Sequence, residues 1–212
     1  MLGQWPDKAI ERLSLYRRLL VNLTAEQVKF IYSHELALKA GRTAAQVRRD
    51  MMILGFSGSP TKGYDVSKLI EAIGGFLDGG GLQEIALVGV GNLGRAILSY
   101  FAGRRPNLSI TVAFDKDPAK VDRVVHGCRC HRMEELPSLV RAQGINTAIV
   151  AVPAEEAQAV AGTLVGAGVF GLLNFAPVRL RVPGAVFVEN VDLTTSLEKV
   201  AFFARRQATR QE

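Results

Sequence analysis

The residues best placed to do chemistry are Gly89-Val90-Gly91-Asn92-Leu93-Gly94, a G-x-G-x-x-G. Their chemistry would be anion binding by the main chain. The first glycine permits a tight turn, the second lets the backbone approach a pyrophosphate, and the third lets the following helix pack closely on the strand. The pattern by itself is common. Here the apolar run Ile85-Ala86-Leu87-Val88 precedes it as a strand, and Leu93 to Tyr100 follows at helical spacing, which is the context the motif requires. An acidic residue is due about 20 positions further on, and Asp115 stands there, at the end of a second strand, Ile110-Thr111-Val112-Ala113-Phe114. A carboxylate at that point accepts from ribose hydroxyls and repels a 2′-phosphate, so the spacing favours NAD(H) over NADP(H). Lys116 and Lys120 lie beside it and keep NADP(H) from being excluded. Val152-Pro153 and Asn174, Ala176 and Pro177 end later apolar runs. Strand ends of this kind line the ligand crevice of an open parallel sheet, though ordinary strand-end turns look the same.

A second set of polar residues suits DNA. The run Ala44 to Leu54 has Val47, Met51 and Leu54 on one helical face, with Arg49 opposite and Gln46 and Arg48 on its flanks. Guanidiniums and an amide near the N-terminal half of a helix can read base edges in a major groove. Ser33 and Thr43 at helix starts and Lys62 in the following turns complete the candidate DNA-binding set. The alternative is a solvated face paired within the helix, for example Gln46 with Asp50.

What a dehydrogenase would need beyond the fingerprint is missing. The segment 82–212 holds no Tyr-x-x-x-Lys, and none of His34, His126 and His131 follows a late strand. Nor is there room for a separate substrate domain. The chain therefore reads as a binding protein and not an enzyme. His126-Gly127-Cys128-Arg129-Cys130-His131 could ligate zinc or sense thiol oxidation, but C-x-C is tight for a structural site and the alternation also suits a plain strand. No metal is expected.

The elements that must position these groups divide at Ile73 to Gly81, the richest glycine cluster, which reads as a linker or a loop at a domain boundary. Before it, apolar residues recur at helical spacing: a first helix from Lys8 to about Asn22, a capping-box sequence Thr24-Ala25-Glu26-Gln27 that can start a short turn or helix, a second helix capped by Ser33 and ended by Gly41, and a third opened by Thr43. Gly55 to Gly63 reads as turns of a small wing. After the linker, strands alternate with helices, as in βαβ units. Further strands are expected at Thr147–Val152, Gly171–Phe175 and Val186–Asn190, with helices from Ala154 to Ala167 and from Thr194 to Arg206. The expected fold class is α/β, an N-terminal winged helix-turn-helix domain over 1–78, a doubly wound Rossmann sheet over 79–192, and a C-terminal helix and tail over 193–212.

Composition agrees. With 48 % hydrophobic and 22 % charged residues a core can be buried. No apolar run reaches the roughly 20 residues of a membrane span, and the start Met1-Leu2-Gly3-Gln4 lacks a signal-peptide pattern, so a cytoplasmic protein is expected. Residues 1–62 carry ten Lys and Arg against five Asp and Glu, whereas the remaining 150 carry sixteen against fifteen. That places the basic excess in the part of the chain that holds the Ala44 to Leu54 helix, where a phosphate backbone would meet it.

Taken in order, Ser33 with Glu35-Leu36-Ala37, then Ala44-Ala45-Gln46-Val47-Arg48-Arg49-Asp50, Gly63-Tyr64, Val88 to Gly94, Phe114-Asp115, Val152-Pro153, Leu173-Asn174-Phe175-Ala176-Pro177 and Val188-Glu189-Asn190-Val191-Asp192 resemble the Rex family of bacterial redox-sensing transcriptional repressors. The resemblance spans almost the whole chain and rests on order and spacing. It implies a homodimer with swapped C-terminal helices, binding of palindromic, A·T-rich operator DNA when NAD⁺ prevails, and release when NADH binds. It further implies that Arg18, Tyr100 and Asp192 couple the two states. The chain departs from the family pattern in the wing, where Pro60 takes the place of a basic residue and Lys62 is the nearest cation, at Leu193, where an aromatic is usual, and at Asp122, where a glycine is usual. The residues themselves leave two other readings open: an NAD-dependent oxidoreductase with a helical appendage, and a nucleotide-gated module whose helical part binds protein.

Overall fold

The structure is a computed structural model and describes residues 5–79, 81–104 and 107–208. The chain start at Met1–Gln4, Gly80 of the glycine cluster and the polar tail after Ala208 lie outside the described residues. Two compact units result, residues 1–81 and residues 82–212.

In the first unit, α1 (Asp7–Ala25) buries Leu13, Tyr16, Leu20 and Leu23 along one face. Of the turn and the helix that Thr24 to Gln27 could start, the structure has the turn, at Glu26 and Gln27. It ends α1: the Thr24 hydroxyl donates to the Leu20 carbonyl at 3.2 Å and Gln27 turns into the left-handed region at φ 59°. Burial of Leu23 carries the helix through, and a threonine can bond back to the preceding turn as readily as it can cap. Next come β1 (Phe30–Ile31), α2 (Ser33–Ala40) and α3 (Ala44–Ile53). Ser33 is the first helical residue of α2 and not its cap; the Glu35 carboxylate instead accepts the Tyr32 N–H at 2.7 Å. Gly41 closes α2 in the left-handed conformation, and the Thr43 hydroxyl accepts the Gln46 N–H at 3.2 Å, as its position predicts.

The wing folds back through paired backbone hydrogen bonds between Ser59 and Gly63, both 2.8 Å. β2 (Tyr64–Asp65) then pairs antiparallel with β1. The glycine-rich segment expected as a linker or boundary loop does end at the division between the two units, but up to Asp78 it is helix. α4 (Val66–Asp78) runs through Gly74 and Gly75, because Val66, Leu69 and Ile73 are buried in the same core as Leu13, Tyr16 and Leu20. That packing outweighs the roughly 1 kcal/mol that each glycine costs a helix.

The second unit is a seven-stranded sheet in the order β5-β6-β4-β3-β7-β8-β9. Its strands are β3 (Gln83–Val88), β4 (Leu108–Asp115), β5 (Val124–Val125), β6 (Cys128–Arg132), β7 (Thr147–Val150), β8 (Gly171–Asn174) and β9 (Phe187–Asn190). All neighbours are parallel except the β5–β6 hairpin. That hairpin turns on His126 and Gly127, at φ 48° and 83°, the positive pair that a two-residue turn of matching twist needs. Helices α5 (Asn92–Phe101), α6 (Leu136–Ala142) and α7 (Ala154–Gly166) make the crossovers, and α8 (Leu193–Ala208) closes the chain. From β6 to β9 the order is the doubly wound dinucleotide arrangement, with its switch point between β3 and β7. The buried cluster that includes Ala86, Val112, Leu136, Ala148 and Leu164 and the cluster that includes Leu87, Ile97, Leu98 and Cys130 form its two cores.

Candidate functional site

The crevice at the carboxyl end of β3 is built by glycine geometry. Gly89 sits at φ 97°, and a Cβ there would overlap the carbonyl of Ala151. A Cβ on Gly94 would overlap the Gly89 carbonyl, so α5 can press onto the strand only because that position is bare. Gly91 differs: a Cβ there would meet nothing within 4 Å. It fronts open space at the start of α5, whose first turn has no side-chain cap. Amides of that first turn and the positive helix end are therefore available to a phosphate. These residues fit a dinucleotide. Asn92 and Leu93 are exposed beside the opening. Val90 is fully buried, and its N–H serves Asp115 and not a ligand.

Asp115 ends β4 with 6 % of its surface exposed. One carboxylate oxygen accepts the Val90 N–H at 2.7 Å and the Lys120 ammonium at 3.1 Å; the other accepts the Asp117 N–H at 2.9 Å. Burial pushes the carboxyl up, but the bonds from Asp117, Val90 and Lys120 outweigh it and hold it below the ordinary carboxylate range. The group is a charged acceptor fixed against the glycine turn, the form that ribose hydroxyls require. Lys116 does not share it: its ammonium forms an ion pair with Glu156 in the first turn of α7. Lys120 and Glu156 thus join the crevice although neither was singled out as a binding residue by the motif. Their signal was faint, since a lysine five residues past the acidic position and an acid in a helix's first turn occur widely.

On the far wall, Val152 is half-buried and Pro153 exposed at the β7–α7 turn. Asn174, expected as a pocket residue, is fully buried. Its amide donates to the carbonyls of Ala176 and Val178 and to the Asn190 side chain, and its oxygen accepts the Ala176 N–H. It shapes the loop, where both of its amide hydrogens are engaged. Ala176 is buried and Pro177 exposed on that loop.

The basic face of the first unit is separately ordered. Arg49 is exposed on α3, and Arg48 donates to the Ser33 hydroxyl at 3.2 Å, which ties α3 to the start of α2. Thr43 is engaged as a cap. Gln46 departs from the base-reading expectation: its amide donates to Asp50 at 2.9 Å. Asp50 is fully buried and also accepts two bonds of 2.7 Å from Arg12 and one of 2.9 Å from Tyr16. A buried carboxylate needs such donors, and α3 supplies Gln46 from its own preceding turn. Arg12 and Tyr16, 38 and 34 residues away, left no trace in the local sequence. Lys62 lies 5.8 Å over the Phe30 ring, and the Tyr32 hydroxyl donates to the Thr61 carbonyl. The wing therefore keeps its one cation on an aromatic support from β1, with Pro60 beside it.

Arg18 is exposed on α1. Tyr100 is 55 % exposed, with the Arg104 guanidinium 4.2 Å over its ring. Asp192 accepts the N–H and the hydroxyl of Thr195, at 2.9 and 2.6 Å, and so caps α8; those bonds lower its carboxyl. Cys128 and Cys130 are core residues on one face of β6. Burial and the neighbouring thiol push Cys128 up to about 11, and burial raises Cys130 as well, which opposes thiolate chemistry. Among the described residues no cluster of three His, Cys, Asp or Glu could hold a metal, and no helix is long and apolar enough to cross a membrane. Asp122, the departure from glycine, takes φ 59° and pairs with Arg129 at 3.1 Å. Its consequence is backbone strain that a glycine would not carry.

Comparison with known proteins extends this picture. The family described as "CoA binding domain" matches residues 82–178, and the one described as "Putative DNA-binding protein N-terminus" matches residues 5–51. The redox-sensing transcriptional repressor Rex of Roseiflexus sp. (strain RS-1) is 39 % identical over 201 residues, 95 % of this chain and 91 % of its own. Rex 2 of Enterococcus faecalis is 40 % identical over 203 residues, covering 96 % and 94 %. Among solved structures, RSP, a Rex-family repressor, in complex with beta-NAD⁺ and operator DNA is similar with a TM-score of 0.89 and 30 % identity, over 98 % of this chain and 95 % of that one. RSP in complex with beta-NADH is similar with a TM-score of 0.85, over 99 % and 98 %.

Proposed function

The chain belongs to the Rex family of redox-sensing transcriptional repressors, and from that premise we propose that it binds operator DNA through residues 1–78 and releases it when NADH enters the crevice of residues 79–192. The observation that carries the reading is the pairing, in one crevice, of a bare phosphate cradle at Gly91 with a charged, immobilised ribose acceptor at Asp115. The RSP complexes with beta-NADH and with beta-NAD⁺ and operator DNA support both ligands for this chain.

The first-turn amides of α5, from Asn92 to Gly94, would face the pyrophosphate, Asp115 the adenosine ribose, and the Val152-Pro153 and Ala176-Pro177 turns the opposite wall. When bound, the nicotinamide serves as the redox signal; no residue of the crevice is assigned a catalytic step, and the chain is read as a regulator acting in the cytoplasm. Arg49 reads base edges from α3. Arg48, Ser33, Thr43 and Lys62 contact phosphates, whereas Gln46 is withheld from the bases by Asp50. α8 presents Leu197, Val200 and Phe203 to the outside, each more than 60 % exposed, more apolar surface than a solvent-facing helix keeps. It is assigned to a homodimer partner.

Release of DNA is a population shift, in which NADH binds the non-DNA state more tightly than the DNA-bound one. Arg18, Tyr100 and Asp192 are the residues assigned to that shift. For Asp192 this involves giving up its bonds to Thr195. Fluorescence anisotropy of a labelled palindromic, A·T-rich duplex tests the function: NADH should reverse binding and NAD⁺ should not. Binding indifferent to both dinucleotides would refute the sensor mechanism.

A further inference from the structure

The ion pair between Lys116 and Glu156 occupies a particular place in the sheet. Lys116 follows the last residue of β4, and Glu156 lies in the first turn of α7, directly after β7. In the order β4-β3-β7 these two strands flank β3. The pair therefore passes across the carboxyl end of β3, where the Gly89–Gly94 turn lies, on the side of the Asp115 carboxylate. Glu156 lies at a helix N-terminus, a position that favours a negative charge, so nothing in the local structure drives it away from Lys116.

The charges around the ribose acceptor can then be assigned. Lys120 is held by Asp115 at 3.1 Å and Asp117 at 3.7 Å. Lys116 is held by Glu156, whose carboxylate, with Glu155 and Asp115 behind it, keeps the ammonium charged. Each lysine near the ribose acceptor thus has an acidic partner of its own. A 2′-phosphate adds about −1.5 to −2 charges, and dinucleotide sites that accept one supply a spare cation beside it. This chain places a cation there and then occupies it.

We propose that Glu156 is a specificity-determining residue of the dinucleotide site: by holding Lys116 across the mouth of the crevice, it denies that ammonium to a 2′-phosphate as a counter-ion, while Lys120 stays bound to Asp115 and Asp117. Discrimination against NADPH is thus shared between Asp115, which repels the phosphate, and Glu156, which withholds its counter-ion. The inference rests on the reading of the crevice as a dinucleotide site and adds which member of the crevice excludes the phosphorylated form.

The test is titration of the full-length chain with NADH and with NADPH, followed by calorimetry, for the wild type, Glu156→Gln and the double variant Lys116→Met/Glu156→Gln. The ratio Kd(NADPH)/Kd(NADH) should fall by about threefold to tenfold in Glu156→Gln, the range a single solvent-accessible charge contact supports. It should return toward the wild-type ratio in the double variant, because Lys116 is the cation set free. An unchanged ratio in Glu156→Gln overturns the proposal, and so does a fall that persists without Lys116, which would make it a general field effect. Failure of the wild type to bind either dinucleotide is a different result: it overturns the reading of the crevice itself. A ratio between two ligands on one variant is insensitive to a uniform loss of folded protein, and thermal melting of each variant checks that separately.

Discussion

Asp50 offers the sharpest test of how α3 is held. Its carboxylate is fully buried and receives four hydrogen bonds, two from Arg12, one from Tyr16 and one from Gln46. Replacing Asp50 by Ala leaves the Arg12 guanidinium, 16 % exposed, without its counter-ion. Breaking a buried pair by removing one partner costs about 3–5 kcal/mol. Residual water access to Arg12 argues for the lower end, about 3 kcal/mol. For a unit of this size that is a large part of a total of about 5–15 kcal/mol, and it corresponds to a fall in melting temperature of about 12–24 °C.

Trp5 is the single tryptophan of the chain and packs edge-on against Phe76 at 5.4 Å, so its fluorescence reports unfolding of the first unit in the intact protein. A double-mutant cycle with Arg12→Met isolates the pair and should give a coupling of at least 2 kcal/mol, roughly the size seen for contacting residues. The pH dependence follows from the direction of the shift. Burial raises the Asp50 carboxyl, and the bonds from Arg12, Gln46 and Tyr16 more than offset it, leaving the folded-state value below the ordinary one. A depressed folded value means the contribution is complete above the unfolded pKa of about 3.9 and is lost as pH falls through the folded value. Acid should therefore destabilise the wild type below about pH 4 more steeply than Asp50→Asn. A loss below about 1 kcal/mol in Asp50→Ala, or strict additivity in the cycle, would refute this account of the network.

Three other outcomes are expected. Gly94→Ala should reduce NADH affinity more than tenfold in calorimetry while leaving the Trp5-reported transition in place, because its Cβ would overlap the Gly89 carbonyl and force the phosphate turn open. Arg49→Ala should cost about 1–3 kcal/mol of operator affinity and relax sequence preference in anisotropy titrations, whereas Lys62→Ala should weaken all duplexes alike and lower the salt slope by about one; equal behaviour of the two variants would contradict the division between base and phosphate contacts. Asp122→Gly should stabilise the second unit by roughly 0.5–1 kcal/mol in thermal melts, since relief of a left-handed backbone outweighs an Arg129 pair that is 60 % exposed on both sides.

The division between local and long-range information runs through individual residues. Gly89 to Gly94 and Asp115 were legible because a strand, a turn and a helix N-terminus are contiguous in sequence, and the crossover rule fixes where the next strand end must lie. Thr43 was legible as a cap for the same reason. Thr24 was not: whether a threonine starts a helix or bonds back within one depends on the burial of Leu23 across the core. Gly74 and Gly75 looked like a linker because their own propensities say so, and they are helical because Ile73 and Leu69 pack in a core shared with α1.

The sequence by itself determined the fold class, the glycine turn after β3, the acidic residue at the end of β4 and the basic character of the first 62 residues, since each rests on contacts within one turn or one βαβ unit. Tertiary structure alone decided who partners whom. It took Gln46 away from the bases and gave it to Asp50 with Arg12 and Tyr16, sealed Asn174 into its loop, buried both thiols and joined Lys116 to Glu156. Those partnerships span 34, 38 and 40 residues for Tyr16–Asp50, Arg12–Asp50 and Lys116–Glu156. Polar side chains choose partners by proximity and desolvation in the folded state, and no local period in the chain records either.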